Sequence, residues 1–231
     1  MTKPADAEFD QYAGDYKGLV DASIRISGET AEHFARERIR FLRRTLDRLG
    51  EARSHVLDYG CGVGLAAPLM RSELGADRVT GVDISADSIA TASVQATDGA
   101  TFRTVADHRP AGDCDVCYSS GVFHHIVPAD RPAAMAVIRD SLRPGGVMAL
   151  CEHNPFNPGT RWAMYNCVFD ADAQTLTARV GRRLMRDNGF DVLMTRYLFI
   201  FPQMLKALRP LEPLVSALPI GAQYVVLARK L

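Results

Sequence analysis

The sequence predicts an α/β fold built on a parallel sheet, and three observations carry that reading. Short apolar runs alternate with amphipathic helical patterns from His55 to Arg229, the order in which βαβ units are written. A glycine-rich turn, Gly60-Cys61-Gly62-Val63-Gly64, leaves the first apolar run, and such turns let a ligand come close to the backbone. Asp58, Asp83 and Asp107 stand at the ends of the first three runs. Open α/β sheets bind ligands at the carboxyl ends of their strands.

The elements follow in order. Ile39, Leu42, Leu46 and Leu49 are spaced three and four apart and Gly50 follows them, which predicts a helix from Glu29 to Leu49. His55–Tyr59 is the first strand. A helix is expected from Leu65 to Leu74, where Pro68 is tolerated only in the first turn. Arg78–Val82 is the second strand and ends at Asp83; Ser85 then caps a helix reaching Ala96. Thr101–Ala106 and Asp115–Ser119 are the third and fourth strands. Asp130 and Pro132 open a helix carrying Met135, Ile138 and Leu142, and Pro144, Gly145 and Gly146 end it. Val147–Cys151 is the fifth strand, and Glu152 to Phe169 is less regular. Leu176, Val180 and Leu184 predict a helix from Asp172 to Asp187, stopped by Gly189. Asp191–Phe199 and Gln223–Arg229 are the final strands. Between them the apolar segment Ile200–Ile220 is broken by Pro202, Pro210, Pro213 and Pro219. The chain reads as a single domain over 1–231, with an N-terminal helical segment over 1–50 and lid-like insertions over 152–170 and 200–221.

Composition narrows the partners. Lys+Arg and Asp+Glu both number 27, so the formal net charge is zero. No global field draws a polyanion, and nucleic acid is not an expected partner. The basic stretch from Arg36 to Arg53 reads as the solvated face of the first helix. The opening residues lack an apolar h-region. The longest uncharged run, Pro213 to Ala228, is interrupted by Pro219, Gly221 and Gln223, too short and broken to span a bilayer. Five cysteines without framework spacing fit a reducing, cytoplasmic setting. Cys114 and Cys117 form a C-x-x-C pair, but residues three apart on a strand face opposite sides. They read as buried thiols.

The glycine turn raises the question of its ligand. A dinucleotide fingerprint runs G-x-G-x-x-G; here the third glycine comes one position early and Leu65 takes its place. A carboxylate at Asp58 would repel a pyrophosphate and attract an ammonium or sulfonium group. S-adenosylmethionine carries both, and a helix N-terminus can take its carboxylate. Asp83 can accept both hydroxyls of a ribose, and Asp107 the adenine amino group.

These stretches also resemble a family. VLDYGCGVG is similar to the first motif of class I S-adenosylmethionine-dependent methyltransferases, VTGVDIS to their acidic second-strand motif, DVCYSSGVFHHI to the fourth-strand motif and LRPGGVMAL to the turn into the fifth strand. The resemblance covers about Tyr12 to Leu231. It implies a Rossmann-like sheet of seven strands, mostly parallel, with helices on both faces and the last strand antiparallel. It implies cofactor contacts through Asp58, the turn Gly60-Cys61-Gly62, Asp83, Ile84 and Asp107, with backbone contacts near Ser119 and Ser120. FDQYAGDY resembles the segment that folds over the cofactor, through Tyr12 or Tyr16. EHNPFNPGTRW and FDADA resemble a subgroup signature of bacterial small-molecule methyltransferases.

Methyl transfer is an in-line displacement that rests on alignment and exclusion of water. An oxygen or nitrogen acceptor, favoured here over carbon, also needs to lose a proton, which suits a histidine. His124 and His125 follow the fourth strand and His153 follows the fifth. His124 is the expected base, with His153 positioning the acceptor and His125 turned toward the sheet. No metal is expected, although the three histidines with Glu152 could form a site. One of Asp170 and Asp172 reads as a helix cap. Arg161 and Trp162 could bind an acidic or aromatic substrate, and Phe123 could wall the pocket. The segment Ile200–Ile220 could cover the pocket, pair copies in a homodimer or pack on the sheet. A catalytically silent cofactor-binding subunit and a nicotinamide-dependent oxidoreductase are the alternative readings.

Overall fold

The computed structural model describes residues 16–170 and 172–231. Seven strands form one sheet in the order β3-β2-β1-β4-β5-β7-β6. They are β1 His55–Tyr59, β2 Arg78–Asp83, β3 Ala100–Thr104, β4 Cys114–Ser120, β5 Leu142–His153, β6 Phe190–Leu198 and β7 Gln223–Lys230. β7 runs antiparallel between β5 and β6, while the pairs among β1 to β5 are parallel. The helices are α1 Tyr16–Ser23, α2 Ala31–Leu49, α3 Ala67–Leu69 running on into a π turn at Met70–Leu74, α4 Ala86–Val94, α5 Arg131–Ser141, α6 Pro158–Tyr165, α7 Ala178–Asp187 and α8 Glu212–Val215.

Both faces of the sheet are covered, which is why β1 is buried at all five positions. Alternate side chains feed two cores. Leu57 joins Met135 and Ile138 of α5 and Met185 of α7. Val56 joins Ile39, Leu42 and Leu46 of α2 and the Met70–Leu74 turn. Helix α2 starts where Thr30 accepts the His33 N–H and stops at Gly50, whose φ of 68° lies in the left-handed region. Pro68 sits in the first turn of α3, as the sequence requires.

Four local expectations are corrected. Helix α7 begins at Ala178, not Asp172, because the Thr177 hydroxyl accepts the Val180 N–H and so acts as the cap. Leu176 therefore precedes the helix but stays buried, with its carbonyl accepting the Tyr224 hydroxyl. β5 begins at Leu142, which pairs with Cys114, and runs through Pro144-Gly145-Gly146. A register shift between Cys114 and Val116 breaks the alternation on β4, so Cys114 and Cys117 lie in the same core instead of facing apart; both thiols are buried. Finally, the basic helix face is not wholly solvated. Arg36 and Arg40 pair with Glu73, but Arg38 turns inward to the Tyr118 hydroxyl and the Gln223 side chain.

The segment 200–220 folds as a 3-10 helix, Gln203–Leu211, kinked at Leu205, followed by α8. No residue of either helix is buried. Tyr12 lies outside the described residues, as does the side chain of Tyr16, which opens α1.

The cap reassignment is testable. Thr177→Ala should lower stability in urea by about 1 kcal/mol, while Asp172→Ala should stay within about 0.5 kcal/mol of the parent. Equal losses would return the helix start to Asp172.

Candidate active site

The carboxyl ends of β1, β2, β4 and β5 bring two groups of polar side chains together. The first surrounds the glycine turn. Gly60 and Cys61 donate backbone N–H bonds to the Val82 carbonyl at 2.7 and 3.0 Å, folding the turn back against β2. Gly60 has φ 77° and a side chain there would lie 2.2 Å from Val122, so only glycine fits. Gly62 also has positive φ, yet an added Cβ would meet nothing within 4 Å. Its N–H donates to one Asp83 oxygen at 2.7 Å, and the Ser85 N–H donates to the other at 3.0 Å.

Asp58 is the anomaly in this group. It is 2% exposed, and its Oδ2 has no hydrogen-bond partner among the described residues. Burial, and then the charge on Asp83, push its carboxyl up to about 7, with Arg38 opposing. The Ser119 hydroxyl on the adjoining strand β4 is likewise buried without a partner. Ser120, the last residue of β4, pairs with Cys151. Cys61 is buried in the turn, which pushes its thiol far up. Ile84 is 53% exposed beside Asp83. Asp107, in the turn past β3, is exposed and accepts the Thr104 hydroxyl.

The second group is centred on Glu152, buried at the end of β5. Its Oε1 accepts the N–H groups of Val122 and Phe123, and its Oε2 lies 2.6 Å from His124 Nδ1. His124 Nε2 lies 3.2 Å from Asp170 Oδ1, and His125 Nε2 lies 3.6 Å from the same oxygen. Burial works against a charge on His124, but Glu152 and the bonds to both carboxylates outweigh it and raise the ring to about 10. Burial and the neighbouring His124 charge push His125 and His153 down to about 4. The loop holding these histidines is tied down. Arg131 donates to the carbonyls of Phe123, Ile126 and Gln174, and the Gln174 N–H donates to the His124 carbonyl.

This geometry corrects four expectations. His124 is not placed as a base: with both ring nitrogens donating to carboxylates it offers no lone pair. His125, with its side chain 20% exposed against 2% for His124, is the more open of the two, the reverse of the expected orientation. Phe123 is fully buried in the core, so its ring walls no pocket; its contribution is the backbone N–H given to Glu152. Neither Asp170 nor Asp172, one of them expected to cap the helix, does so; Asp170 is a partner of the histidines.

A cavity of about 1360 Å³ opens beside His153. Phe34, Tyr197, Phe199 and Phe201 line it together with Thr160 and Ala163 of α6. Arg161 and Trp162 lie on another face of α6 and are exposed, so the structure does not bring them to this cavity. Arg38 went unnoticed in the sequence, although its place was legible: it falls three residues after Ala35 and four before Leu42, on the buried stripe of α2.

Comparison with known proteins places the chain. A profile of a methyltransferase domain matches residues 34–195. The chain belongs to the class I S-adenosylmethionine-dependent methyltransferases. Ribosomal RNA small subunit methyltransferase C of Pseudomonas entomophila is 28% identical over 52% of this chain and 39% of its own length. Carboxy-S-adenosyl-L-methionine synthase of Aliivibrio salmonicida is 30% identical over 49% of this chain and 50% of its own. The chain thus spans half or less of these relatives. Geranyl diphosphate C-methyltransferase of Streptomyces coelicolor A3(2), solved with Mg²⁺, geranyl diphosphate and S-adenosyl-L-homocysteine, superposes with a TM-score of 0.64 over 99% of this chain and 98% of that one. At 18% identity the likeness is one of fold. No helix among the described residues is long and apolar enough to cross a membrane.

The raised Asp58 carboxyl gives a pH prediction. The folded protein keeps a proton there from the ordinary 3.8 up to about 7, where the unfolded chain has lost it. Stability from this group therefore falls as pH rises through that window, by at most about 4 kcal/mol. Asp58→Asn should gain in urea midpoint relative to the parent between pH 5 and pH 8. A flat difference would mean the carboxyl does not titrate there.

Proposed function

We propose that this chain transfers the methyl group of S-adenosylmethionine to an oxygen or nitrogen of a small-molecule acceptor. One observation carries the reading: Asp58 presents a buried carboxylate oxygen, unpartnered among the described residues, beside a glycine turn where an added Gly62 side chain would meet none of them. A cationic ligand relieves that buried carboxyl, whereas a pyrophosphate would add to its burden. The residues fit the whole cofactor. Asp58 faces its ammonium side, and the Gly60-Cys61-Gly62 backbone allows close approach. Each Asp83 oxygen keeps lone-pair capacity for a ribose hydroxyl. Ile84 packs by the adenine and Asp107 accepts from its amino group. Backbone near Ser119 and Ser120 borders the methionine part.

When bound, the cofactor supplies a methyl group on sulfonium, a leaving group that needs no activation. The chain's own work is to align the acceptor and exclude water. His153 stands on the cavity wall and is neutral at pH 7, so it has a lone pair to take the acceptor's proton. His124, held by Glu152 and Asp170, positions the loop beside it. The cavity, walled in part by Phe34, Tyr197, Phe199 and Phe201, suits a compact organic acceptor, and the balanced net charge gives no field for RNA. Segments 152–170 and 200–221 cover this side.

Calorimetry tests the cofactor. S-adenosylhomocysteine should bind and NAD should not, and Asp83→Ala should weaken the former roughly ten- to a hundredfold. Binding of NAD alone would overturn the reading. Labelled methyl incorporation into metabolites of a cell extract tests turnover. His153→Ala should slow it by about 10²-fold or more with cofactor affinity unchanged; a parent-like rate would remove His153 as base.

A further inference from the structure

We propose that His124, His125 and Asp170 bind a first-row divalent cation, such as Zn²⁺ or Mn²⁺, through two imidazole nitrogens and one carboxylate oxygen. Their donor atoms, His124 Nε2, His125 Nε2 and Asp170 Oδ1, all lie within 4.8 Å of one another. Asp170 Oδ1 is 3.2 Å from the first and 3.6 Å from the second. Two donors bound to one ion at about 2.1 Å stand about 3.0–3.4 Å apart, for right-angled to tetrahedral geometry. The two separations from Asp170 Oδ1 thus stand within a few tenths of an ångström of that range, and the two imidazole nitrogens lie within 4.8 Å of each other.

Three further features favour an ion over a plain hydrogen-bond cluster. His124 turns its other nitrogen to Glu152 at 2.6 Å, the carboxylate-imidazole arrangement that orients metal-binding histidines. Glu152 is itself fixed by the Val122 and Phe123 N–H groups, so the ring is set before any ion arrives. The loop is anchored by Arg131, which donates to the carbonyls on both sides of the site. The cation would replace the proton on His124 Nε2, while Nδ1–H continues to donate to Glu152.

The donor types choose the ion. Two imidazoles suit Zn²⁺, Mn²⁺ and Fe²⁺; Mg²⁺ and Ca²⁺ prefer oxygen. Three protein donors leave positions for water and for an acceptor oxygen. That last point rests on the methyl-transfer reading and would extend it to acceptors with an oxygen able to coordinate, whose proton a bound cation makes easier to remove.

The full-length chain, stripped with chelator, is titrated with ZnCl₂ and MgCl₂ by calorimetry. One Zn²⁺ per chain should bind at this site, with Mg²⁺ far weaker. His125→Ala and Asp170→Asn should each lose at least tenfold in affinity, and Glu152→Gln about 10- to 100-fold. Bound Mn²⁺ should show an altered electron paramagnetic resonance spectrum that His125→Ala returns to that of the aqueous ion. A second group, His55, Asp113 and Cys114, could also hold an ion, so Cys114→Ser serves as the control and should keep the Zn²⁺ affinity. Absence of Zn²⁺ binding, parent-like affinity in both His125→Ala and Asp170→Asn, or loss in Cys114→Ser would overturn the site. S-adenosylhomocysteine titrated into the same stripped samples separates the two proposals. Its binding without Zn²⁺ binding sinks the metal site alone; its failure to bind sinks the methyl-transfer reading.

Discussion

The candidate site depends on one buried carboxylate. Glu152 is the penultimate residue of β5 and is almost fully enclosed, so it must be paired to persist as an anion. It takes two backbone N–H groups from the turn after β4 and the Nδ1 of His124. Those bonds decide how the chain leaves β4, and hence where both histidines stand. Asp170 then closes on them from the other side.

A different balance governs the cofactor side. Asp58 and Asp83 stand on adjacent strands, and each raises the other's difficulty in holding charge. Asp83 is relieved by two N–H groups; Asp58 Oδ2 has no hydrogen-bond partner among the described residues, and the field of Arg38 opposes the effect of its burial. The two halves of the site thus differ: Glu152 is satisfied by groups of the chain itself, whereas Asp58 keeps an oxygen without a partner among the described residues.

Much of this was legible in the sequence. The alternation of apolar runs and helical stripes located six of the strands to within a few residues, and the glycine turn and Asp83 fall at the carboxyl edge of the sheet as expected. What escaped has physical causes. The start of α7 depends on whether Thr177 or an aspartate takes the cap, and both are good caps. The facing of Cys114 and Cys117 depends on a bulge, which shifts a period-2 pattern without leaving a residue-type signature. The roles of His124 and His125 depend on which ring meets Glu152, a contact across 28 residues that no local pattern encodes. Arg38 was hidden because charge was read as solvent-facing even where the helix period put it on the buried stripe.

The Arg131 side chain bridges segments far apart in the chain, from the Phe123–Ile126 loop to Gln174. The Gln174 N–H returns a bond to His124, and the Tyr224 hydroxyl holds Leu176. Neither the 121–130 loop nor the 172–177 stretch can open without breaking bonds that belong to the other. In hydrogen-exchange terms they form one cooperative unit rather than two frayed loops. Surface stretches without helix or strand would then show slow, correlated amide exchange, and the rate would follow the integrity of a single guanidinium.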